Sequence, residues 1–380
     1  FRLRLLEDNC PLDDDQTLAM QVVQLVKMEF LPPDTEEDGK IMVACRQNDD
    51  KLLEQHLNQP RSPNFVDANA RTPLFVASLN GSLKCVLPLL EAGAEKDKGQ
   101  VEPEITPLFA AAEMGHLEIV RLLVESGANK DQRWATIGAT PLHIAAEMGH
   151  LEVVRFLVAC GANKDQCTTE NGRTPLFIAA GQGHLEVVRF LVESGANKDQ
   201  GRKDIGATPL YIAAEMGHLE VVRILVESGA NKDQGTTDIG ATPLFMAAQN
   251  GHREVVRVLV ESGANKDQSR TNDGATPLYI AAQNGHLEVV RFLVESGAKK
   301  DQGKTNTGAT PLYIAAEMGH LQVVRFLVES GAIKDQGTTD DGATPLFTAA
   351  REGHIDVVRF LVQSGANKDQ GKAYTGATPQ

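Results

Sequence analysis

Threonine followed by Pro-Leu recurs at Thr72, Thr106, Thr140, Thr174, Thr208, Thr242, Thr276, Thr310 and Thr344, each 34 residues after the last, and a cut copy begins at Thr378. So strict a period overrides the division into two or three globular domains that 380 residues would otherwise favour. In the unit that starts at Thr106, the threonine can cap a helix whose first turn takes Pro107, where a missing N–H costs nothing. Leu108 to Met114 continue that helix, Gly115 supplies a left-handed stop, and Leu117, Ile119, Val120, Leu123 and Val124 mark one face of a second helix. Asn129 to Gly138 are polar and turn-forming, the composition of an extended hairpin-like loop projecting from the pair. Two helices this short cannot bury their apolar faces alone, and Ala111 and Ala112 leave room for a neighbour. The expected fold is an all-α solenoid of stacked helix-turn-helix units, with one core running from unit to unit.

The stretch TPLHIAAEMGHLEVVRFLV, residues 140–158, resembles the ankyrin repeat, whose T-P-L-H-x-A opening it matches in full. The resemblance covers nine units over residues 72–377, with 378–380 the start of a truncated repeat. Ankyrin repeats usually have 33 residues, and the additional residue here falls in the loop. His143 keeps the motif's histidine, whereas Phe or Tyr stands there in the other units. Residues 39–71 keep two helical patterns but lose TPL and GH, as a degenerate N-capping repeat should. Pro88 falls inside a second helix, where a kink is expected.

Residues 1–30 alternate apolar and charged residues and close on VVQLVKMEF, a short β-rich segment by its pattern. Leu12, Asp14, Thr17 and Leu18 resemble the L-x-D-x-x-T-L phrase in the second half of a ubiquitin-like fold. Residues 31–38, LPPDTEEDG without its last glycine, read as an acidic linker, and no Gly-Gly ending implies conjugation. The chain begins with Phe1 and reads as part of a longer protein.

Charge and motifs narrow the function. A net charge of -14, half of it within residues 1–50, disfavours nucleic acid, which needs a basic stripe. No apolar run approaches the ~18 residues of a membrane span. Five cysteines without a paired framework fit reduced thiols in a cytoplasmic or nuclear setting. His116, His150, His184, His218, His252, His286, His320 and His354 invite a metal or pH-sensing reading. A metal needs ligands within ~2 Å of one point, whereas these recur once per unit, about 10 Å apart. Each is expected to start its second helix and bond the turn. Asp131 and its seven equivalents up to Asp369 read as loop hydrogen-bonders, because a catalytic site breaks symmetry and these acids do not. No nucleophile, zinc or phosphate-loop motif is present, so neither enzyme chemistry, cofactor, metal nor small-molecule substrate is expected.

Second helices scarcely vary between units, while the loops do: RWATI, CTTEN, GRKDI, GTTDI, SRTND, GKTNT, GTTDD and GKAYT. The end of the first helix varies too, as in Glu147-Met148 and Glu317-Met318. The ankyrin resemblance implies that loop tips and first helices line a concave surface that binds other proteins. Trp134, the only tryptophan, with Arg133 beside it, is the leading contact, since both residue types are enriched in interface hot spots. Arg202 and Lys203 suit an acidic patch, Arg270 and Lys304 stand in equivalent loops, and Tyr374 is a weaker candidate. A scaffold or adaptor is the expected role. The alternatives are a substrate-recruiting arm of a larger enzyme, such as a ubiquitin-pathway ligase or kinase, and a spacer with no specific ligand. Neutral drift of exposed loops is the plain explanation for their variation.

Overall fold

The computed structural model describes residues 35–57, 62–100 and 104–370, in which twenty α-helices and no extended strand are found. The β-rich, ubiquitin-like reading of residues 1–30 and the start of a further repeat at 378–380 lie outside the described residues. The acidic stretch expected as linker is in part helical: Glu36, Glu37 and Asp38 form the first turn of α1 (Thr35–Gln47), where carboxylates favour the positive end of the helix dipole.

The chain divides into two compact units. The first holds α1, α2 (Asp50–Leu57), α3 (Pro73–Leu79), α4 (Leu83–Glu91), α5 (Pro107–Glu113), α6 (Leu117–Glu125), α7 (Pro141–Glu147) and α8 (Leu151–Ala159). The second begins with α9 (Pro175–Gln182), α10 (Leu185–Glu193), α11 (Pro209–Met216), α12 (Leu219–Glu227), α13 (Pro243–Gln249) and α14 (Arg253–Glu261). It continues through α15 (Pro277–Gln283), α16 (Leu287–Glu295), α17 (Pro311–Glu317), α18 (Leu321–Glu329), α19 (Pro345–Arg351) and α20 (Ile355–Gln363). Within each unit, first helices pack on first helices and second helices on second helices of the next repeat.

One repeat shows why the stack is needed. Helix α5 has seven residues and α6 nine, far below the length at which an isolated helix holds in water. Thr106 caps α5 by accepting the Phe109 N–H at 3.2 Å, and Gly115 turns the chain at φ +74°. Leu108, Ala111, Ala112, Val120 and Leu123 are fully buried, so the paired alanines do let adjacent first helices approach. Proline is tolerated inside α4, which runs unbroken over the same nine-residue length as α6.

Within each unit, three kinds of hydrogen bond tie neighbouring repeats together. The Asn129 N–H donates to Asp97 Oδ1 at 2.9 Å and Asn163 N–H to Asp131 at 3.0 Å; in the second unit Asn231 N–H donates to Asp199 at 2.7 Å. The aspartates are thus loop hydrogen-bonders, as expected, and their bonds join the loops of adjacent repeats. The histidines stand at the start of the second helices and bond a turn, as expected, and the turn is that of the preceding repeat. His150 Nε2 lies 2.8 Å from the Glu113 carbonyl and His252 Nε2 3.0 Å from that of Glu215, thirty-seven residues back in each case. A carbonyl can only accept, so Nε2 carries the proton, and the ring bonds the preceding repeat's turn instead of its own. The third kind joins the loops, for example Thr237 N–H to Ile205 O at 2.8 Å.

Candidate protein-binding surface

Each loop closes on itself by backbone bonds: Trp134 N–H to Ala139 O and Gly138 N–H to Trp134 O, both 2.7 Å, with the same pair recurring at Arg202, Arg270 and Lys304. These four residues therefore stand at the base of their loops, and Ala135, Thr136, Lys203 and Asp204 form the exposed tips. The tip position expected for Trp134 is thereby corrected. Its ring is half-buried against Phe109, centroids 5.6 Å apart and edge to face, with the indole N–H shielded from solvent. Arg133 is exposed beside it.

The same platform takes the cations. Arg202 lies 5.8 Å from the Phe177 ring centroid, Arg270 4.9 Å from Phe245, and Lys304 5.4 Å from Tyr279. The aromatic residues that replace the motif's histidine thus act as seats for the loop base. Arg202 also pairs with Asp204, so of this basic doublet Lys203 is the side chain left exposed. Arg270 and Lys304, in different loops, converge on Asp273 at 2.6 and 2.9 Å. Burial pushes the Asp273 carboxyl up, but hydrogen bonds from Arg270 and Lys304 outweigh it and hold the group down at about 2. The cluster is an inter-repeat clamp.

The ends of the first helices present a different surface. Met114 and Met148 are 50% and 45% exposed in the first unit, and Met216 and Met318 are 53% and 47% exposed in the second, whereas the leucine and the paired alanines of those helices are buried. A half-buried glutamate precedes each methionine: Glu113, Glu147, Glu215 and Glu317. Burial, then the charge of Glu147, raises the Glu113 carboxyl above its usual range. Burial likewise raises Glu215, with Arg202 opposing it. Glu317 accepts from Arg351 Nη2 at 3.0 Å. Asn250 and Asn284 occupy the methionine position in two other repeats and donate to the Glu215 and Gln249 carbonyls at 2.8 and 2.7 Å, tying repeats together. Sequence comparison singled out Glu147, Met148, Glu317 and Met318 but passed over Glu113, Met114, Glu215 and Met216, although the same two letters stand at the same place in the period. Tyr374 lies outside the described residues.

Among the described residues no three His, Cys, Asp or Glu side chains are placed to hold a metal, and no helix is long and apolar enough to cross a membrane.

Repeated helix pairs joined by loops, with capping threonines and inter-repeat histidines, define a class of modular repeat proteins, and comparison with known families gives the class its name. The profile of ankyrin repeats (three copies) matches residues 41–134, 98–167, 142–236, 233–304 and 300–372. The chain belongs to the ankyrin-repeat family. The crystal structure of the human ASB11 ankyrin repeat domain is similar, with a TM-score of 0.54 and 30% identity, over 60% of this chain and 99% of that one. A 48-residue stretch is 50% identical to potassium channel AKT1 of Arabidopsis thaliana, covering 13% of this chain and 6% of the channel. The chain thus spans only a small part of that relative's length. Membership of this family makes the repeats a module that binds other proteins.

Proposed function

We propose that the chain is a non-enzymatic scaffold or adaptor, whose first-helix ends and loops hold a segment of a partner protein. One observation carries this reading: an exposed methionine follows a half-buried glutamate at the same register in four repeats, where the leucine and the paired alanines of the same helices are buried. Methionine's unbranched, polarizable side chain adapts to irregular partners. The adjoining carboxylates favour a cationic segment with apolar side chains between its charges. Successive repeats stack about 10 Å apart, which three residues of an extended chain span.

Affinity capture from a cytosolic extract, using the full chain, tests the reading. In a variant carrying Met114→Gln, Met148→Gln, Glu113→Gln and Glu147→Gln, each substituted residue has a counterpart in another repeat, Gln182 or Gln249, so folding is retained. Partners captured by the parent chain and lost by this variant, with unchanged circular dichroism, support the surface. An unchanged set of partners sinks it. A parallel Arg133→Ala and Trp134→Ala variant reports whether the loop base contributes.

A further inference from the structure

A second arrangement repeats where neighbouring second helices meet. The guanidinium of Arg121 lies 4.9 Å from the Phe156 ring centroid, that of Arg291 4.8 Å from Phe326, and that of Arg325 4.8 Å from Phe360. In each pair the ring comes thirty-five residues after the arginine. The same step from Arg223 reaches Val258, so at the seam of α12 and α14 no phenylalanine is supplied. An open notch of about 140 Å³ stands there, lined by Arg223, Val226, Glu227, Val258, Glu261 and Ser262. An enclosed apolar cavity of ~150 Å³ takes a benzene ring, so the scale is that of an aromatic side chain. Helix α14 departs from its fellows twice, since Arg253 also replaces the leucine that opens α12 and α16.

Charge indicates what accompanies the ring. Two carboxylates line the notch; Arg257 lies 3.6 Å from Glu261, while Glu227 has no ion-pair partner among the described residues. Arg223 is 3.4 Å from Glu220 along its own helix and also lines the notch, at the position whose equivalents stack on phenylalanines in other repeats. We infer that this notch docks an aromatic side chain of a partner protein with a basic residue beside it. The ring takes the place that phenylalanine fills in other repeats and stacks on Arg223, while the neighbouring cation meets Glu227 and Glu261. The site is separate from the first-helix surface and does not depend on it.

The full chain with labelled valine methyls, titrated with N-acetyl-Phe-Arg-amide, provides the test by nuclear magnetic resonance. Saturable ring-current shifts at Val226 and Val258 are expected, with N-acetyl-Phe-Glu-amide at least tenfold weaker and N-acetyl-Ala-Arg-amide without effect. The Val258→Phe chain restores the REVVRxLVE-type helix to the form of α10 and α16, so it folds; its Val226 methyls should report at least a tenfold loss of affinity. Shifts of equal size with the alanine peptide, undiminished binding to Val258→Phe, or no shifts at all would overturn the inference. Met148→Gln should leave the titration unchanged, which keeps this test independent of the proposed scaffold surface.

Discussion

Replacing Asp273 by Asn probes a strongly charged contact that joins two loops. Asp273 accepts from Arg270 Nε and Nη2 at 3.1 and 2.6 Å and from the Ala275 N–H at 3.1 Å, and pairs with Lys304 at 2.9 Å. Asparagine keeps an acceptor for the backbone and removes the charge. The carboxyl is depressed from 3.8 to about 2 in the folded chain, and its side chain is only 12% exposed. A depressed carboxylate contributes stability that is present above its unfolded value and is lost as pH falls through the folded one. That shift corresponds to about 2 kcal/mol at neutral pH, falling to roughly 1 kcal/mol at pH 3 as the unfolded chain takes up its proton. Repeat arrays open locally, so hydrogen exchange of the amides in residues 265–310 is the direct assay, with urea unfolding at pH 7 and pH 3 beside it. The variant should lose protection there and little in the first unit. A gap between parent and variant that is absent at pH 7, or that fails to shrink by pH 3, would refute the clamp.

The remaining predictions concern the stack. Gly217→Ala places a Cβ 2.7 Å from the His252 ring at a φ of +77°, so thermal unfolding should show a loss of more than ~1 kcal/mol, part of it recovered in a His252→Ala background. His252→Ala alone removes the bond to the Glu215 carbonyl and should cost about 1 kcal/mol, read by exchange of the surrounding amides. Leu225→Ala, at a fully buried position, should cost ~2 to 5 kcal/mol in urea unfolding.

Much of this molecule was written in its sequence because the determining interactions are local and recur. The Thr-Pro start, the glycine stop and the apolar faces of each helix are short-range features, and their spacing at 34 residues demands stacking since no single pair has a core. The ankyrin class and the helices of the described repeats were therefore legible before any coordinate. What lay between repeats was not. From the sequence, a histidine opening a helix bonds a turn and an aspartate hydrogen-bonds in a loop, but the partners, thirty-seven and thirty-two residues away along the chain, were not legible. Trp134 and Arg270 read as free contacts at loop tips, whereas their side chains rest on Phe109 and Phe245. Sequence spacing shows how often a residue recurs but not which neighbour its side chain meets. That is decided when stacking brings equivalent positions of adjacent repeats together, leaving methionines exposed at one surface and a phenylalanine-sized notch at another.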